Sequence, residues 1–204
     1  MAKVKTQKKA SSIDMTAMCD VAFLLLTFFI LTATAKQPEP LPVDTPSSTV
    51  QTKLPESNLA MLTVGDGKVF MGILERNVRI RTLELMGIKY GIAFSEDERN
   101  RFALIDAFGV PIGNLKQIIA MSGSERNAKG LQSGIPKDSL DDQLSEWIRN
   151  ARLANVELKQ QDLKFAIKGD AKLEYPQIKK VMDLLQKQDV NSFNLVTGLR
   201  GKDF

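Results

Sequence analysis

Residues 15–35 read MTAMCDVAFLLLTFFILTATA, and this stretch divides the chain into a membrane part and a soluble part. Leu, Phe, Ile, Val, Met, Ala and Thr fill it, and Asp20 is its only charge. Coiled as a helix, its 21 residues extend roughly 31 Å. A bilayer's hydrocarbon core is about 30 Å thick. Lipid offers no partner to backbone polar groups, so the segment must satisfy them internally, as a helix. Two other readings fit parts of the stretch. A cleaved signal peptide would use the preceding lysines, the apolar run Val21–Leu31 and Ala33-Thr34-Ala35 as a cleavage motif. It has no need of an acid beside its apolar core, and Thr16 to Met18 extend the span backwards. A buried helix of a soluble protein would carry a one-sided apolar stripe, not an all-round run.

Outward from the span, residues 1–14 are polar and carry Lys3, Lys5, Lys8 and Lys9, a bias that predicts a cytoplasmic N-terminal tail. Residues 36–58 contain Pro38, Pro40, Pro42, Pro46 and Pro55, which exclude a regular helix and predict an extended linker. Ser48–Lys53 favours a short strand within it, of the kind that pairs with another chain's sheet edge.

A soluble domain is expected over residues 59–199, followed by a tail at 200–204. Ala60–Val64 and Lys68–Met71 flank Gly65-Asp66-Gly67, a tight-hairpin pattern. Glu96–Ala107 and Ile112–Met121 read as helices, and Ser122–Gly134 as an exposed loop. Ser139–Val156 is predicted helical, because Leu140, Leu144, Trp147, Ile148 and Ala151 recur at spacings of three and four. A strand over 163–168, a helix over Tyr175–Gln188 and a strand over Phe193–Thr197 form a strand–helix–strand unit. The expected fold is thus one N-terminal membrane helix followed by an α/β (α+β) domain with a small mixed sheet and packed helices.

Composition narrows the function. The chain has 204 residues, with 28 Lys and Arg against 24 Asp and Glu. A net charge of +4 without zinc-finger spacing or an aromatic-interleaved basic patch gives no case for nucleic acid. With no His and one Cys, His-ligated metals, His general bases and intrachain disulfides are excluded. No Gly-rich phosphate loop follows a strand and no nucleophile–base pair is visible, so neither a cofactor nor an enzyme is expected.

Asp20 is the candidate working residue. A charged carboxylate in hydrocarbon costs roughly 2.5–3.5 kcal/mol even on the lenient insertion scale. A carboxyl group that meets lipid and water in turn can take up a proton in one and release it in the other. Thr16, Asp20, Thr27 and Thr34 fall within about 60° of one another at about 100° per residue, a polar stripe whose hydroxyls are able to donate to the acid or hold water. The bland alternatives are an acid that only pairs with a neighbouring helix and threonines that only bond back to their own helix. Cys19 faces another direction and reads as a small packing residue. One helix cannot enclose a proton path, so partner helices are implied.

Ile13-Asp14-Met15-Thr16-Ala17-Met18-Cys19-Asp20-Val21, followed by Ala22-Phe23-Leu24-Leu25-Leu26-Thr27-Phe28-Phe29, resembles the membrane signature of the ExbD/TolR family. Ala17 stands where that family usually has Pro, and Asp14 where it often has Asn. Ala166-Ile167-Lys168-Gly169-Asp170, Leu173-Glu174-Tyr175 and Phe193-Asn194-Leu195-Val196-Thr197 resemble the end of the family's periplasmic domain. Residues 72–137 exceed the family's usual connection and read as an insertion. The resemblance implies an inner-membrane protein with its C-terminal domain in the periplasm. It implies a motor or stator subunit that uses the proton motive force through Asp20. The implied partners are a second copy, ExbB-like ring subunits, typically five, and a TonB-like transducer that energises outer-membrane transport. The linker and C-terminal match favour the ExbD branch. A TolR-like subunit for envelope maintenance, or a membrane-anchored binding domain without transport activity, are the alternatives.

The lysine bias and the span predict that protease added to spheroplasts removes residues 36–204 and spares the tail. A released soluble chain beginning at Lys36 would contradict the anchor.

Overall fold

Leu59–Gly65 and Lys68–Ile73, buried along nearly their whole length, form an antiparallel hairpin at one side of the soluble domain's sheet. In the computed structural model, residues 15–33, 39–48, 53–128, 130–138 and 141–199 are described. The expected tails at 1–14 and 200–204, and residues Thr34, Ala35, Thr49–Thr52 and Leu140, lie outside them. The chain divides into two compact units, residues 1–36 and 37–204.

The first unit holds α1, Met15–Thr32, 18 residues and about 27 Å long. None of its residues is buried. Phe23, Leu24, Phe29 and Leu31 all stand exposed, on every side of the helix. A helix in the core of a soluble protein would bury one face; this surface suits lipid or other helices.

The second unit begins with β1 (Ser47–Ser48), then β2 (Leu59–Gly65), β3 (Lys68–Ile73), α2 (Arg76–Tyr90) and α3 (Glu96–Phe102). A 3₁₀ turn at Ile112–Asn114 leads into α4 (Leu115–Ala120), and α5 is Gly123–Arg126. Then come α6 (Gln143–Lys159), β4 (Lys164–Gly169), α7 (Tyr175–Gln186), β5 (Phe193–Val196) and β6 (Gly198–Leu199). The four-stranded sheet has the order β3-β2-β4-β5. β2 and β3 are antiparallel, whereas β2–β4 and β4–β5 are parallel, so the sheet is mixed. Asp66 and Gly67 both take positive φ, 49° and 74°, the conformation a two-residue type I′ turn requires.

One sheet face carries Ala60, Leu62, Val64, Val69, Met71, Phe165 and Ile167 into the core beneath the helices. Trp147 of α6 is fully buried there, its ring 4.6 Å from Phe108 and 6.2 Å from Phe102. Asp142 caps α6 by accepting from the Ser145 amide at 3.2 Å, which places the helix start beyond the Ser139 expected from the sequence. Ser95 and Glu98 form a reciprocal capping box at the start of α3.

The segment between β3 and α6 is more ordered than its sequence suggests. α2 was not expected. Its buried positions, Val78, Arg79, Thr82, Leu83, Met86 and Gly87, follow helical spacing, but three of the six are not large and apolar. Ile88, which is apolar, stands 76% exposed. The stripe is therefore invisible to a hydrophobicity pattern. Arg79 is buried because it ties three carbonyls together. Nε donates to Ile73 O, Nη1 to Ala103 O at 2.9 Å and Nη2 to Leu74 O at 3.2 Å, while Asp106 pairs with Nη2 at 3.2 Å. Burial holds the guanidinium below its usual pKa, partly offset by Asp106. The Ala103 carbonyl bond also explains why α3 stops at Phe102 and not at Ala107.

The same segment closes one sheet edge. Met71 and Phe108 exchange backbone hydrogen bonds of 2.8 and 3.0 Å, and the Ile135 amide donates to Val69 O at 2.8 Å. Edge strands with unpaired groups invite foreign pairing, and β3 is shielded in this way. Within the expected exposed loop Ser122–Gly134, Gln132 is buried and its Oε1 accepts from the Gly109 amide at 2.7 Å.

Gly109 lies flat against the Phe70 ring, and a Cβ built on it would come within 2.3 Å of Phe70 Cδ1. Gly109→Ala should destabilise the domain by about 1–3 kcal/mol in thermal or urea unfolding. Gly113→Ala, which meets nothing within 4 Å, should leave it nearly unchanged.

Candidate proton-carrying site

The expected polar residues are placed along α1 as its sequence dictates. Thr16 and Asp20 are one turn apart, and Asp20 is exposed on the helix surface. Thr27 lies seven residues further, about 10.5 Å along the axis at about 1.5 Å per residue, too far for its hydroxyl to reach the Asp20 carboxylate in the same chain. Its Oγ1 instead donates to Leu24 O at 2.9 Å. Thr32 does the same to Phe28 O at 2.8 Å. Back-bonding of this kind satisfies the hydroxyl hydrogen inside a helix and leaves its lone pairs available. Thr34 lies outside the described residues. Cys19 is exposed on the helix, next to Asp20 in sequence. A carboxyl group on the surface of a lone helix has no wall of its own against lipid. Partner helices must supply whatever encloses it.

No group of three or more metal-ligating side chains occurs among the described residues. The soluble unit carries a second feature that sequence reading missed. A cleft of about 230 Å³ lies on the sheet face opposite the helices. Met61, Phe70, Leu59 and Ile73 wall it, with Arg79 and Lys168 among its lining cations. The signal for it was thin: Gly65 ends β2, and Lys168 sits within an apolar strand.

The sequence profile described as biopolymer transport protein ExbD/TolR matches residues 6–199. The chain belongs to the ExbD/TolR family. No curated protein and no solved structure matches it. The ExbD/TolR match runs through both the membrane helix and the soluble unit, including residues 72–137. Membership assigns the chain to membrane-anchored subunits that energise biopolymer transport together with membrane partners. One helix long and apolar enough to cross a membrane, Met15–Thr32, fits a single-pass member of the ExbD/TolR family.

Because the Thr27 hydroxyl is spent on Leu24 O, Thr27→Val should preserve assembly and most transport activity. Measured uptake as low as that of an Asp20-less chain would show that the hydroxyl acts on the proton path itself.

Proposed function

We propose that this ExbD/TolR protein is a stator or motor subunit of the ExbD branch. In this reading it draws on the proton motive force through Asp20 to energise TonB-dependent transport across the outer membrane. The observation that carries the reading is the lone carboxyl of Asp20 in an otherwise apolar membrane-length helix. The N-terminal lysines orient the tail toward the cytoplasm and the soluble unit toward the periplasm of the inner membrane. Two copies sit within a ring of ExbB-like subunits, typically five, and their soluble units engage a TonB-like transducer. The role is one of coupling, with no bond-making chemistry of its own.

The mechanism follows from the cost of charge in lipid. Hydrocarbon favours the neutral form of a carboxyl group, while water and hydroxyl donors favour the ionised form. A ring that presents these surroundings in turn makes Asp20 load a proton from one side and release it to the other. A group held always charged would resist passage, and one held always neutral would carry nothing.

Asp20→Asn keeps nearly the same shape and cannot titrate. It should insert and assemble normally, because removing the charge lowers the cost of the span, and it should abolish transporter-dependent uptake in cells. Asp20→Glu, which displaces the acid by one methylene, should retain a small part. Normal uptake with a co-purifying Asp20→Asn complex would refute the proton-carrier role.

A further inference from the structure

α2 ends where Gly91 enters the left-handed region at φ 67°, and the Ile92 amide donates to Gly87 O at 2.8 Å. The reversal brings Ile92 and Phe94 back against the last turn of the helix. Gly87 permits the approach, since a Cβ there would come within 2.6 Å of Ile92 O and 3.1 Å of Phe94 Cδ2. Ser95 and Glu98 cap α3, which carries Arg99 to the same place. These elements line a cleft of about 440 Å³ that shares no residue with the one on the sheet face. Its apolar lining is Ile88, Ile92 and Phe94, and Gly87 and Gly91 add bare backbone. Small-molecule sites have this makeup, an apolar lining with a few convergent polar groups, and volumes of roughly 300–1,000 Å³.

The polar groups are unevenly matched. Arg81 and Arg99 share one carboxylate: Glu84 Oε2 accepts from Arg81 Nη1 at 3.1 Å, and Oε1 from Arg99 Nη1 at 2.5 Å. Arg81 has a second acid in Glu157, whose Oε2 accepts from Nε at 2.7 Å. Among the described residues Arg99 pairs with Glu84 alone, and its Nε is buried with no acceptor. A buried donor on a charged group is costly to leave unmatched. The cleft lining holds two guanidiniums against one carboxylate, so its charge favours an anion, and Arg99 is where an acceptor is missing.

We propose that this cleft is a binding site for a small monocarboxylate with an apolar body. The carboxylate takes the Nε–Nη2 edge of Arg99 side-on, the two-bond geometry that guanidinium and carboxylate favour, and leaves the Nη1 bond to Glu84 in place. Nε is closed to water as the side chain lies, so binding swings the guanidinium toward the cleft. The apolar body covers Ile88 and Ile92 and lies on the backbone of Gly87 and Gly91. A second carboxylate on the ligand would meet the negative charge of Glu84, so the site selects a monoanion over a dianion. The site needs neither Asp20 nor a proton gradient, and its failure would leave the transport reading untouched.

The test uses the full chain in lipid nanodiscs with isotope-labelled isoleucine methyl groups. The probe is hydrocinnamate, a phenyl ring on a short chain that ends in a carboxylate, because its ring shifts the signals of methyl groups it covers. Saturable shifts are expected at Ile88 and Ile92, with the fully buried Ile167 unmoved. The matching alcohol, and the dianion phenylsuccinate, should each bind at least about tenfold more weakly than hydrocinnamate. Arg99→Gln should weaken hydrocinnamate by a similar factor and leave the alcohol unchanged. Ile88→Ser, which alters an exposed side chain, should weaken acid and alcohol alike, and it decides the matter if Arg99→Gln displaces the Ile167 signal. Shifts that grow without saturating would overturn the proposal. So would equal affinity for acid and alcohol, or an affinity for the acid that Ile88→Ser leaves unchanged.

Discussion

A carboxyl group in hydrocarbon must either be neutral or be given partners, and α1 supplies almost none from within. Its apolar side chains point outward on all sides, and its hydroxyls at Thr27 and Thr32 are turned back onto the helix's own carbonyls. A charged Asp20 left against lipid would carry a free-energy cost that partner helices would relieve. Membership of the ExbD/TolR family fits this, because the family works in membrane complexes.

The soluble unit solves a different problem. A four-stranded mixed sheet has two faces and two edges to protect. The helices bury one face around Trp147, and the segment between β3 and α6 seals the β3 edge. Arg79 holds that segment by binding carbonyls at the end of β3 and the end of α3, a use of charge that trades desolvation for several hydrogen bonds at once. The other face is crossed by a strap, residues 39–48 of the linker. The strap is fixed there by the Glu39–Lys168 pair, by backbone bonds from Ala171 and Gly198, and by its pairing with β6.

Much of this was legible before any coordinates. The hairpin was marked by Gly65-Asp66-Gly67, because the turn needs positive φ at two residues. The amphipathic spacing of Leu144, Trp147, Ile148 and Ala151 placed α6, and the membrane helix was plain from its length and composition. What was not legible was set by long-range contact. α2 was hidden because Arg79, Thr82 and Gly87 fill buried positions that a pattern expects to be large and apolar, while Ile88 faces outward. Of the short strand expected at Ser48–Lys53, residues 49–52 lie outside the described residues, and Ser48 pairs with β6 of its own chain. The cleft on the sheet face was hidden more deeply: Glu39 and Lys168 are 129 residues apart, and no local rule joins them.

The account stands or falls on whether Asp20 carries the proton. The direct measurement is proton entry into liposomes that hold the chain with its ring partner, followed with an internal pH-sensitive dye under an imposed potential. The account predicts flux with the unaltered complex and only background leak when the same complex carries Asp20→Asn. Equal flux through both would place the proton path elsewhere and reduce Asp20 to a packing residue.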